Sequence, residues 1–149
     1  MAFTMRVPDA RFMGVVYNVT RAVGPGQPNI PSDVMLVQYL LKKIYSHPTN
    51  TAPPIFARLT VDGSCGPVTQ EMIRTFQSDM DPRRWRTFTD GIVNSATPEL
   101  VTQTRGTDRS LTILSMNHVF HGFYRDLYPR LASAPDLPAP LATGLSRIR

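Results

Sequence analysis

The stretch Val61-Asp62-Gly63-Ser64-Cys65-Gly66-Pro67-Val68-Thr69 constrains the fold more than any other part of the chain. Asp-Gly admits positive φ at little steric cost, so the backbone can reverse there. Gly66-Pro67 then opens a helix, because a proline at the first helical position gives up an N–H that has no helical partner anyway. Met72, Phe76 and Met80 follow four apart with Ile73 beside them, which predicts a helix from Pro67 to about Met80 with one buried face. Met80-Asp81-Pro82 ends it, since the residue before proline disfavours helix. Asp90-Gly91 begins a second, weaker copy of the turn.

Around this feature the periodicity predicts other elements. Gly14 to Thr20 is β-branched and aromatic and reads as a strand, with Val15, Tyr17 and Val19 on one face. Val23 to Asn29 is a turn-rich connector. Ser32 or Asn29 caps a helix from about Asp33 to Tyr45, whose stripe is Val34, Val37, Leu41 and Ile44. Ile55 to Val61 alternates and reads as a second strand or extended segment, a partner for the first strand unless another chain covers it. Ser95 or Thr97 caps a short helix over residues 98–101. Ser110 opens a last amphipathic helix from Leu111 to about Tyr128, with Met116, Val119, Phe120, Phe123 and Leu127 at helical spacing. The proline-rich tail beyond Ala134 has the composition of a disordered segment. If ordered, it lies against its own body or a neighbouring subunit.

A chain of 149 residues amounts to one domain. No run approaches the roughly 18 apolar residues of a membrane span. The N-terminus lacks the basic and apolar regions of a secretory signal, so the expectation is synthesis in the cytoplasm without one. The net charge of +5 comes from arginine, with Lys42 and Lys43 the two lysines. Arginine suits planar contacts with carboxylate or phosphate, hence an acidic polymer or a protein interface. Nucleic acid is not expected, because no recognition motif accompanies the charge.

Cys65 is the single cysteine, so no intrachain disulfide forms. A helix N-terminus downstream could lower its pKa. No histidine lies near it in sequence, and a small side chain filling a turn is the simpler role. His118 and His121, three apart, could reach one metal, but no third ligand is evident, so neither metal nor cofactor is expected. Glu71 and Glu99 are the two glutamates and most aspartates fall in turns or helix starts. With no carboxylate pair, catalytic triad or phosphate-binding glycine loop, an enzyme is not expected. The candidate ligand residues are Arg74 and the cluster Arg83, Arg84, Trp85 and Arg86, where a ring can stack on a sugar while guanidinium groups hold anions. The alternative places Trp85 in the core and leaves the arginines solvated.

Taken in order, Asp33-Val34…Val37-Gln38…Leu40-Leu41, then Val61-Asp62-Gly63…Gly66-Pro67…Thr69…Ile73…Phe76-Gln77 and Asp90-Gly91-Ile92-Val93, resemble the peptidoglycan-binding-domain-like family. The resemblance runs from Val23 to Leu100, about half the chain. It implies a mainly α single domain: a compact helical core over 23–101, an N-terminal strand extension over 1–22, an extra helix over 107–131 and a tail over 132–149. Asp62, Gly63, Gly66, Pro67, Thr69, Phe76, Gln77, Asp90 and Gly91 are then mostly architectural, with Phe76 in the core and Gln77 bonded to loop backbone. Asn94-Ser95 departs from the pattern, which has Gly-Pro there. The implied function is non-catalytic binding of peptidoglycan or another cell-wall glycan, in a groove between the first two helices and the Arg83–Arg86 segment. The competing expectation is a structural or adaptor protein, bound to protein partners or to itself, in a phage tail or contractile injection system. Its place of action is then a virion, a secretion apparatus or the cell envelope.

Overall fold

A computed structural model describes residues 1–81, 87–103 and 109–149. The fold is mainly α, about half helical, with a small two-stranded sheet. Strand β1 (Phe3–Arg6) pairs antiparallel with β2 (Val15–Asn18), Phe3 opposite Asn18 and Arg6 opposite Val15. Then come α1 (Pro31–Ser46), α2 (Pro67–Met80), α3 (Pro98–Gln103), α4 (Thr112–Phe123) and α5 (Ala139–Leu145). Short 3-10 segments cover Ala10–Phe12, Pro54–Arg58 and Tyr128–Ser133.

Helix α1 is the central element and packs against α4, α2, α5 and β2. Its stripe of Val34, Val37, Leu41 and Ile44 is fully buried, and so are Leu36 and Leu40. Met72, Ile73 and Phe76 of α2 and Met116 and Phe120 of α4 complete the core. Burial of so many aliphatic and aromatic side chains is the principal stabilising term. Helix α2 spans the predicted residues, with Pro67 at its start.

Several local expectations are corrected. Helix α1 begins at Pro31 with Ile30 at the cap position and no side-chain cap. Ser32 instead accepts a hydrogen bond from Ala2 N (3.3 Å), and Asn29 braces Gly24, accepting from its N–H (2.8 Å) and donating to its carbonyl (2.9 Å). Proline at the first turn presets φ, so α1 starts without a capping hydroxyl. Residues 54–58 form a 3-10 turn rather than a strand, since the consecutive Pro53 and Pro54 favour a tight turn over ladder pairing. The partner of β2 is therefore β1. Thr97, not Ser95, caps α3, its hydroxyl accepting from Leu100 N at 3.3 Å. Ser110 does not cap α4; its hydroxyl meets Ser115 Oγ at 2.6 Å. Helix α4 stops at Phe123, where Tyr124 leaves helical geometry, short of the predicted Tyr128.

The tail is ordered against its own body. Leu137, Leu141 and Leu145 are buried, and Thr4 Oγ1 donates to the Leu145 carbonyl at 2.6 Å. Residues 147–149 continue alongside β1: Thr4 N donates to Arg147 O (3.1 Å), Arg6 N to Arg149 O (2.8 Å) and Arg149 N to Thr4 O (2.8 Å). Upstream, the Asp136 carboxylate accepts from Tyr39 Oη (2.7 Å) and pairs with Lys43 Nζ (2.9 Å), both on α1. Burial raises that carboxyl's pKa in part, but the Lys43 and Tyr39 hydrogen bonds outweigh it and hold the group below its ordinary value.

Gly144 is the close point of the tail. A Cβ there would press into the Ala2 carbonyl oxygen and come within 2.9 Å of Met1 Cγ. Gly144→Ala is therefore expected to cost about 1–3 kcal/mol, the range of overpacked sites. Urea unfolding checks it; an unchanged midpoint would mean that α5 does not dock on the N-terminal strand.

Candidate functional site

Two glutamines each hold one of the two Asp-Gly turns, by closely similar sets of bonds. Gln38 of α1 is 1% exposed and reaches the first Asp-Gly turn. Its Oε1 accepts from Asp62 N (3.0 Å) and Gly63 N (2.9 Å). Its Nε2 faces Asp62 Oδ1 (3.0 Å), Ser64 O (3.0 Å) and Thr69 Oγ1 (2.9 Å). Gln77 of α2 is fully buried and repeats the pattern at the second turn. Its Oε1 accepts from Gly91 N (2.8 Å), and its Nε2 faces Asp90 Oδ1 (3.2 Å), Ile92 O (3.2 Å) and Thr112 Oγ1 (2.9 Å).

The turns themselves match. Asp62 Oδ1 accepts from Ser64 N at 2.9 Å, and Asp90 Oδ1 from Ile92 N at 3.0 Å. Gly63 and Gly91 sit at φ +80° and +76°, where a side chain would be strained. In the first unit α1 holds the turn that launches α2; in the second, α2 holds a turn tied to α4. Helix α4 is thus part of the same core, separated from its turn by residues 94–111, which include α3. A buried amide with every polar atom engaged both stabilises and fixes geometry.

The Asp62 carboxyl is held below its ordinary pKa, first by the Ser64 N–H and then by the Gln38 amide. Its contribution to the turn is present above the unfolded pKa and lost as pH falls through the lowered folded value.

The loops carrying these turns converge on the connector after β2. Val23 and Val93 exchange backbone hydrogen bonds of 3.0 and 2.8 Å. Gly24, at φ +145°, lies so close to the second turn that a Cβ would come within 2.6 Å of Gly91 O. Gly63 lies close to the start of α1, 3.0 Å from Pro31 O by the same measure, a tight but less severe approach. Cys65 is hydrogen-bonded to the Gly24 backbone, but burial dominates and raises its thiol pKa. A raised pKa disfavours thiolate, so the lowering expected from the α2 N-terminus is not the net effect. Cys65 fills a turn.

Of the candidate ligand residues, Arg74 projects from α2 with its side chain along the second turn. A Cβ on Gly91 would meet its Cγ at 3.5 Å. Arg83, Arg84, Trp85 and Arg86 lie outside the described residues. Immediately after them, Thr87 is fully buried and bridges Ser110, while Phe88 turns outward and is 54% exposed. Arg109 places its guanidinium carbon 5.8 Å from the Phe88 ring centre and donates to Thr87 O at 2.8 Å. Sequence reasoning passed over Phe88 and Arg109. The signal was available, since an aromatic between two threonines follows directly on the arginine cluster.

His121 packs its ring 5.1 Å from that of Tyr128, and burial, then nearby Arg125, lowers its pKa. Among the described residues, no group of three or more histidine, cysteine or acidic side chains could hold a metal. No helix there is long and apolar enough to cross a membrane. The chain matches no family model, no curated protein and no solved structure.

Proposed function

We propose that the chain is a non-catalytic module that binds peptidoglycan or a related cell-wall glycan. The observation that carries this reading is the repeated Gln-clamped Asp-Gly turn. It gives a physical role to the very residues on which the resemblance to peptidoglycan-binding-like domains rests. Rigid turns of this kind present loops at a fixed spacing, which suits recognition of a repeating polymer at low ordering cost. The arginine-rich balance adds attraction for the carboxylates of a wall polymer.

Sedimentation with purified insoluble cell wall tests the reading. Saturable co-sedimentation, lost after the wall is solubilised by a muramidase, is the expected result, with wall turbidity unchanged by the protein itself. Failure to sediment at any protein concentration would overturn it. Falling turbidity would overturn the non-catalytic part alone.

A structural or adaptor role in a phage tail or contractile injection assembly is the second reading. It draws support from the layer built outside the resemblance, where β1, β2 and the ordered tail form one joined surface. A defined oligomer or a copurifying partner, combined with no affinity for wall, would favour it.

A further inference from the structure

We infer that Phe88, with Arg109 beside its ring and Arg74 along the Asp-Gly turn that follows, is a sugar-stacking platform for a glycan strand bearing carboxylates; this rests on the wall-binding reading above. No other Phe or Tyr side chain among the described residues is exposed, whereas Phe88 is 54% exposed. Its exposure is fixed by its neighbours. Thr87 is wholly buried and bridged to Ser110, and three residues past Phe88 the Gly91 N–H is held by Gln77 at 2.8 Å. Side chains alternate in an extended segment, so anchoring Thr87 inward directs Phe88 outward. The ring is thus presented between two fixed points instead of on a loose loop, and little conformational freedom remains to be lost on binding.

The charges beside it are of the right kind. The Arg109 guanidinium lies 5.8 Å from the ring centre and is oriented by the Thr87 carbonyl, with Asp81 3.8 Å from its Nη1. Three residues further on, the stem of Arg74 runs along Gly91. An aromatic face accepts the C–H face of a pyranose ring, while planar guanidinium groups pair with carboxylates. An uncharged glycan would use the ring and gain nothing from the positive charge of the arginines. A wall strand carrying lactyl or peptide carboxylates uses both.

Binding isotherms on purified sacculi, native and with carboxyls converted to amides, test the assignment. Wild type is expected to bind the native material more tightly. Phe88→Ala and Phe88→Leu should weaken binding to both materials by roughly tenfold, the scale of losing one stacked ring. Arg74→Gln should reduce native binding towards the amidated level. Phe88 contributes little to the core, so thermal unfolding of its variants should match wild type and exclude misfolding. Wild-type binding with unchanged Phe88→Ala or Phe88→Leu affinity would overturn the platform and leave the wall-binding reading standing. Equal wild-type affinity for native and amidated sacculi would overturn the carboxylate partner. Absence of wild-type binding would overturn both readings.

Discussion

Asn117→Leu is expected to be the most damaging single substitution, lowering stability by about 4 kcal/mol, because several buried polar groups lose their partner at once. The Asn117 amide stands where a third strand would be. Its Oδ1 accepts from Tyr17 N (2.8 Å), and its Nδ2 donates to Tyr17 O (2.9 Å) and Ile113 O (2.8 Å). The Tyr128 hydroxyl lies 2.8 Å from the same Oδ1 and 2.9 Å from Val15 O, donating its proton to one at a time. Tyr17 closes the circuit, its hydroxyl donating to the Tyr128 carbonyl and accepting from Leu131 N at 3.2 Å. Leucine fills a similar volume but leaves the Tyr17 backbone N–H and C=O of β2 without their side-chain partner in the buried interior. Equilibrium urea unfolding measures the loss, which is a large share of the roughly 5–15 kcal/mol that stabilises a typical domain. A loss below about 1 kcal/mol, the worth of a single neutral hydrogen bond, would mean that water satisfies these groups instead. Asn117→Asp adds a diagnostic. Its ionised carboxylate cannot donate to Tyr17 O, and part of the lost stability should return as pH falls and the carboxyl gains a proton.

Gln77→Leu is expected to cost about 3 kcal/mol, because Gly91 N, Ile92 O and Thr112 Oγ1 all depend on one amide. The damage should spread beyond the turn, since Gln77 is the link from α2 through the second turn to the start of α4. Amide hydrogen exchange at Gly91 is the local readout, and unfolding free energy the global one. Gln38→Leu should produce the matching defect at Gly63 while leaving Gly91 protected. If both variants loosened both turns equally, the two clamps would not be separate units.

How much of this was legible beforehand follows from the range of each interaction. Helix α2 could be read residue for residue, because Pro67, the four-residue spacing and Pro82 are all local signals. The start of α1 was misplaced because a proline did the work expected of a capping hydroxyl. The second clamp was only half visible. Asp90-Gly91 announces a turn, but the threonine that completes it is Thr112 rather than a residue seven positions on, as Thr69 is after Asp62. The intervening residues 94–111 conceal the repeat from any pattern of fixed spacing. Strand β1 carried no periodic signal, since its pairing on one side is with a chain segment more than 140 residues away. At the candidate site, Arg74 was named from sequence, whereas Phe88, flanked by two threonines just past the arginine cluster, gained its significance from its exposure beside the buried Thr87.

The union of β1 with residues 147–149 carries a consequence for biosynthesis. Thr4 and Leu145, joined by a hydrogen bond, are 141 positions apart. A ribosome adding ~5–20 residues per second exposes β1 for ~7–30 seconds before the segment that seals it has been made. During that interval the nascent chain carries an open strand edge, a template for pairing with other polypeptides. Helices α1 and α2 can settle early on short-range contacts, but closure waits until residues 145–149 have been made. Products that stop before residue 145 should accordingly be heavy clients of chaperones, and far more prone to aggregate than chains that carry residues 145–149.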